Sequence, residues 1–414
     1  MNQKEHTGLS LGERPPISES SPLSSQVDPK NVLPNAKAIF LVFVVFLFLA
    51  VYAAVGDMSG GVGSFVFGGL QVLLFVLLAM TAYLAEVYSW LKIPALLFLL
   101  ILVGFVVLVV TSMSVMAVLP DGALAVDYSV DAILEDIISL ENQIRLVGVV
   151  FFVILSVFVS CIGFSRRVRT FLARYLPFDP DSFVHMIALV TVSAITMMVA
   201  VPLFVFGEPI LLTPAFLEMG AKGGADIFME SMTSDIYNLF WTILASFLVV
   251  GLFIRRNISE TLERLGLFRI SLKELGIAIG LGIVLVGIFH VVDMGIGIVW
   301  EFFGWKVTDM DAAVLTIAPL LTPVGAIVAA VGAGFGEELS IRGVLQPRFG
   351  ILLPTFLFAS LHAFQYNWDG VLSVFLAGLV FALIRRYYCT TVSAITHTFY
   401  DLILFYALMF GLSI

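Results

Sequence analysis

The chain has 414 residues, 60% of them hydrophobic and 12% charged, with a mean hydropathy of +1.07 and a formal net charge of 21 − 30 = −9. Soluble domains carry about a quarter charged residues, so this composition excludes a soluble globular protein and describes a polytopic membrane protein. The apolar runs suit helical spans rather than barrel strands. No basic patch points to nucleic acid, and two cysteines, Cys161 and Cys389, provide no disulfide framework.

Residues 1–36, which include His6, are rich in Ser and Pro, lack hydrophobic period and read as a disordered tail. The apolar run after Lys37 is longer than a signal-peptide core and follows too long a polar leader, so it reads as an uncleaved first span. Runs of about 20 apolar residues place spans near 38–56, 63–86, 93–118, 144–165, 183–207, 236–254, 274–303 and 316–346. Three more follow near 351–366, 370–386 and 391–412, predicting an all-α transmembrane bundle of about eleven spans.

The loops supply an orientation. Arg166, Arg167, Arg169 and Arg174 follow the fourth span, Arg255, Arg256, Arg264, Arg269 and Lys273 the sixth, and Arg385 and Arg386 end the tenth. The positive-inside rule puts these loops in the cytoplasm. The acidic loops (Asp121, Asp127, Asp131, Glu135, Asp136 and Glu141, then Glu208, Glu218, Asp226, Glu230 and Asp235) alternate with them. A cell-membrane protein with its N-terminus inside and its C-terminus outside is expected. Residues 130–144 space Val130, Ile133, Leu134, Ile137, Ile138 and Ile144 helically with acids between, as an amphipathic helix on the outer interface would. His185, at the start of a span, reads as an interface residue.

One stretch, 334–343, places Glu337, Glu338 and Arg342 within six residues of an otherwise membrane-like run. Each charge at a bilayer centre costs about 2.5–3.5 kcal/mol on insertion scales, so the three must face one another, other helices or water. Glu338 and Arg342 are i,i+4 and able to pair. Glu337 is turned about 100° from Glu338 on an α-helix and has no local partner, as a membrane-embedded general base requires. His362 follows on the next span, and His397 with Asp401, again i,i+4, on the last. A hairpin turning at Pro347, Gly350 and Pro354 sets Glu337 and His362 at one depth, about 15–18 Å from the turn. His397 lies about 10–14 Å from the following turn. Three spans thus carry a carboxylate, an imidazole and an imidazole–carboxylate pair to overlapping depth.

The ordered set Glu337-Glu338-x-x-x-Arg342, Phe358-x-x-x-His362 and His397-x-x-x-Asp401 resembles the three motifs of the CPBP family. That family comprises the type II CAAX prenyl proteases and relatives linked to bacteriocin processing and self-immunity. The resemblance covers about 270–414, as a catalytic domain, and leaves 37–269 as an N-terminal region of six spans. It implies an intramembrane endopeptidase acting on a membrane-associated, prenylated CAAX-type peptide. Glu337 and His362 would activate water, His397 and Asp401 would bind the oxyanion, and Glu338 and Arg342 would hold the site together. Two residues depart from the pattern. Ser340-Ile341 stands where many members have an aromatic pair, and Asp401 where CAAX enzymes often carry Asn. An ionised Asp donates no hydrogen bond, so Asp401 is expected to orient His397, leaving the other ring nitrogen to donate.

Two rivals remain at this stage. Glu337, His362 and His397 could bind zinc in a metal-dependent version of the same hydrolase, although no HExxH is present. A thiol mechanism through Cys389 lacks any neighbour that would lower its pKa. Alternatively, His290 and Asp293, i,i+3 in the seventh span, could relay protons in a transporter, or be a structural pair in a non-catalytic scaffold. The expected partners are the lipid bilayer and a lipidated peptide, with no required cofactor.

Overall fold

The computed structural model describes residues 32–55, 61–119, 137–221 and 224–412. Among these the chain is helical, with a single isolated bridge between Leu252 and Arg256. Eleven longer helices fall where the spans are expected: α1 (Ala36–Val55), α2 (Gly61–Ala85), α3 (Lys92–Ala117), α4 (Leu140–Ser160), α5 (Phe183–Val199) and α6 (Gly224–Val249). They continue as α7 (Leu272–Phe303), α8 (Pro323–Phe349), α9 (Leu352–Leu361), α10 (Trp368–Tyr387) and α11 (Thr390–Met409). Nine of the described segments are long and apolar enough to cross a membrane, and the protein is a multi-pass membrane protein. The count of eleven drops because α9 with its 3₁₀ extension ends at Phe364, and because the described apolar part of α1 covers only Ala36–Leu47.

Local chemistry explains where the helices begin. Ser271 Oγ accepts from Glu274 N at 3.2 Å while the Glu274 carboxylate accepts from Ser271 N at 2.8 Å, a reciprocal cap that starts α7. The span expected from 316 instead starts at 323. Thr322 Oγ1 accepts from Gly325 N at 3.0 Å, and Pro323 takes the first turn, where its missing N–H leaves no bond unmade. The helix Met310–Ile317 is a separate element before it. Helix α1 begins at Ala36, at the edge of the expected tail, and residues 1–31 lie outside the described set. So do 130–136 of the expected interfacial helix and the acids Asp121, Asp127, Asp131, Glu135 and Asp136, while 140–144 form the first turns of α4.

Helix α11 is the axis of the C-terminal half and packs against α7, α8 and α10. Two glycines permit this. A Cβ on Gly334 of α8 would collide with Thr398 Oγ1 and lie 2.8 Å from Ala394 O. On the other side of α11, a Cβ on Gly282 of α7 would lie 2.9 Å from both Phe399 Cβ and Thr396 O. In lipid, where apolar side chains gain little by leaving solvent, such small residues let helix backbones approach closely. The N-terminal spans join the same bundle: α6 lies along α2 and α8, and α5 along α9. Apolar side chains such as Leu100, Leu108, Ile283 and Val291 face outward, as a lipid-facing perimeter requires.

Gly334→Ala should therefore lower the thermal stability of the detergent-solubilised protein, by about 1–3 kcal/mol of overpacking. Gly276→Ala, on α7 with nothing within 4 Å of its new methyl group, should leave the melting temperature unchanged.

Candidate active site

Helix α8 does not stay α-helical where the acidic pair lies. From Gly332 to Leu345 it widens into a π-helix, and the bond closing this stretch runs from Gln346 N to Ile341 O. Ser340 Oγ supports the widened turns by donating to Gly336 O at 2.8 Å and to Glu337 O at 3.1 Å. Departures of this kind concentrate at functional sites. Ile341 is buried against Val192, Leu357 and Phe358, so the pair Ser340-Ile341 serves the backbone on one side and the α5–α9 packing on the other.

The Glu338 carboxylate is fully buried and gathers three side chains from α8 and α11. Its Oε1 lies 3.4 Å from Arg342 Nη1 and 3.2 Å from His397 Nδ1, and its Oε2 accepts from Ser393 Oγ at 2.6 Å. Arg342, also fully buried, donates from Nη2 to Gly378 O at 3.1 Å and lies 4.3 Å from the centre of the Phe358 ring. The carboxylate, the carbonyl and the aromatic face each offset part of the cost of burying the guanidinium.

His397 is 5% exposed and stacks on Phe381 with ring centres 4.2 Å apart. Its Nε2 lies 3.3 Å from Asp401 Oδ2 and 4.0 Å from Glu337 Oε2. The ring is thus flanked by three carboxylates, and the free donor expected opposite Asp401 is not available: Nδ1 is committed to Glu338. Glu338 orients the imidazole from behind, and Nε2 is the nitrogen facing Glu337. The Glu337 side chain is 36% exposed, in contrast to its buried neighbour.

His362 caps the end of α9, where ten α-helical residues give way to a 3₁₀ turn. Its Nδ1 pairs with Phe358 O at 2.9 Å, its ring meets Phe358 edge-on at 4.9 Å, and Tyr366 lies parallel to it at 6.3 Å. Phe358 thus touches Arg342, His362 and His397 from one position.

Sequence reasoning missed Ser393 and Phe381. Ser393 could have been found, because Ser393, His397 and Asp401 recur every four residues on one face of α11. Phe381 offers no such signal, being one of many phenylalanines in apolar runs. His290 and Asp293 are exposed on α7, and no hydrogen bond or ion pair joins either to Glu337, His362, His397 or Asp401. His185 Nδ1 accepts from Asp179 N at 2.9 Å near the start of α5. Cys389 is buried at the start of α11, and burial pushes its thiol pKa up, away from nucleophile chemistry. Among the described residues no group of three or more His, Cys, Asp and Glu side chains is arranged to hold a metal ion.

These side chains come together inside an all-helical multi-pass bundle. The family model described as Type II CAAX prenyl endopeptidase Rce1-like matches residues 319–403, a segment containing all seven motif residues from Glu337 to Asp401, and it assigns this segment to that family. No curated protein and no solved structure matches the chain. The match is shorter than 270–414 and leaves out α7, yet α7 packs directly on α11 through Gly282.

Replacing Glu338 with Ala should cost about 3–5 kcal/mol, since it leaves Arg342 as an uncompensated buried charge. Ser393→Ala, which removes one bond to the same carboxylate, should cost about 1–3 kcal/mol. Both are measurable by unfolding in detergent, and a double-mutant cycle between positions 338 and 393 should show coupling.

Proposed function

We propose that the protein is a glutamate/histidine intramembrane endopeptidase that cleaves a membrane-associated peptide, of which a prenylated CAAX terminus is the family's example. The observation that carries this reading is the position of His397 Nε2, between the partly exposed Glu337 at 4.0 Å and Asp401 at 3.3 Å, with the opposite nitrogen held by buried Glu338.

In this reading a water sits between Glu337 and His362. Glu337 takes a proton as the water oxygen adds to the scissile carbonyl carbon. The resulting oxyanion is stabilised by hydrogen bonding from His397 Nε2–H, whose ring is already fixed by Glu338 and by the Phe381 stack, so little reorganisation is needed. Asp401 orients His397 and yields its place at Nε2 to the oxyanion. The tetrahedral intermediate collapses with cleavage of the C–N bond as the proton held by Glu337 passes through His362 to the leaving amine, which returns both side chains to their starting states. Glu338, Arg342 and Ser393 act through position and do not touch the substrate.

A substrate carrying a lipid would partition into the bundle from the bilayer, whereas a soluble peptide would have to leave water first. The basic loops support the expected topology, N-terminus inside and C-terminus outside, with the site reached from the cytoplasmic leaflet. The catalytic unit would comprise about 270–414, with the earlier spans packed on it.

Purified protein in detergent should cleave a quenched farnesylated CAAX peptide. Glu337→Gln and His397→Ala should each lower turnover by about 10²-fold or more while retaining the wild-type elution profile. Turnover should survive a strong chelator. Loss with chelator and recovery with zinc would replace this mechanism with metal-assisted hydrolysis, and full activity of Glu337→Gln would remove Glu337 as the base.

A further inference from the structure

A large cavity lies apart from the constellation described above. It occupies about 1490 Å³ between α2, α5 and α6 on one side and α8 and α9 on the other. Its apolar body is formed by residues such as Val72, Ile187, Val192, Ile341, Leu357 and Leu361. Ser340 and Leu361 bring its wall beside the carbonyl of Glu337 and the backbone of His362, but neither Glu337, His362 nor His397 lines it. A volume this large exceeds the roughly 300–1,000 Å³ of ordinary small-molecule pockets.

One end of the cavity is strongly cationic. Lys92, Arg174, Arg255, Arg256, Arg264 and Arg348 line it, against three acids, Glu86, Asp179 and Asp181, an excess of 6 − 3 = 3 positive charges. The acids already have partners. Glu86 pairs with Arg255 at 2.6 Å, Asp181 with Arg166 at 2.7 Å, and Asp179 accepts from the backbone of Asp181 at 2.8 Å. Arg256, Arg264 and Arg348, all half-buried, have no carboxylate within ion-pair distance among the described residues. Arg264 donates to Gly343 O and Val344 O, and Arg256 to Val250 O, so two of the three are held in place by main-chain carbonyls. They also lie within electrostatic reach of one another: burial, followed by the charges of Arg348 and Arg256, holds the Arg264 pKa below its ordinary value. Three neighbouring guanidiniums in the lining of a largely apolar cavity are complementary to an anion that carries hydrocarbon.

We propose that this cavity is a binding site for one anionic phospholipid, with its phosphate on Arg256, Arg264 and Arg348 and its acyl chains along the apolar body behind the π-helical stretch of α8. The site is separate from the peptidase reading and does not depend on it. Arg348 is the residue to test, because among the described residues its side chain makes no hydrogen bond to protein, unlike Arg256 and Arg264.

The experiment uses full-length protein in a neutral detergent and fluorescent phosphatidylglycerol, with phosphatidylcholine of the same chains as the zwitterionic comparison. Wild type should bind phosphatidylglycerol saturably and at least tenfold more tightly than phosphatidylcholine. Arg348→Gln should weaken phosphatidylglycerol about tenfold and leave phosphatidylcholine unchanged, whereas Arg167→Gln, exposed outside the cavity, should change neither. Ala79→Phe, which fills the apolar wall, should weaken both lipids. Equal affinity for the two lipids, or an Arg348→Gln variant that binds like wild type, would overturn the proposal. Inorganic phosphate should fail to displace the lipid at millimolar concentration; if it competes fully, the site is a simple anion site and the lipid assignment is wrong.

Discussion

A carboxylate with no access to solvent organises the C-terminal half of this protein. Glu338 cannot be buried alone, because removing an ion from water costs several kcal/mol that only close counter-charges and hydrogen bonds offset. Arg342, His397 and Ser393 supply them from α8 and α11, and Arg342 reaches on to α10 through the Gly378 carbonyl. Satisfying one buried charge therefore sets the relative height and rotation of three helices. Replacing such a network with apolar side chains often costs little stability, so what it contributes is position. It holds the imidazole of His397 at one angle and leaves Nε2 directed toward Glu337.

The same constraint accounts for the contrast between adjacent glutamates. Glu338 points inward and pairs with Arg342, while Glu337 is left partly exposed beside the edge of the His397 imidazole. The π-helical widening of α8 offsets the two side chains without breaking the helix, at the cost of weaker backbone bonding that Ser340 partly makes good. Close approach of α11 to this stretch is possible only because Gly334 has no side chain. A polar network, an irregular helix and a glycine contact are three consequences of placing one ion inside a bilayer-spanning bundle.

The N-terminal spans also gain a structural meaning. They pack directly on α8 and α9 and enclose, together with them, the cavity whose cationic end collects arginines from three loops. The back of the motif-bearing helix thus faces a second compartment, whose wall includes Ser340 and Ile341 of the π-helical stretch.

Much of this was legible in the chain. Hydropathy alone requires helices, because every backbone polar group in hydrocarbon must be bonded within its own segment, and the rarity of intramembrane charge singled out Glu337, Glu338, Arg342, His362, His397 and Asp401. The i,i+4 spacings correctly place Glu338 beside Arg342 and His397 beside Asp401, since those contacts are local to one helix. Which nitrogen of His397 faces which carboxylate could not be read, because it depends on the rotation of α11 against α8, set by Gly334 and Ser393 across the interface. The start of α8 at Pro323 and the shortness of α9 were hidden by apolar runs that continue past the helix ends. The arginine cavity was hidden for a related reason: Arg256 and Arg264 read as orienting charges of one loop, and no pattern singled out Arg348 at the end of α8. Only packing shows them converging on one space, because convergence between distant segments is a property of tertiary contacts and leaves no periodicity in the chain.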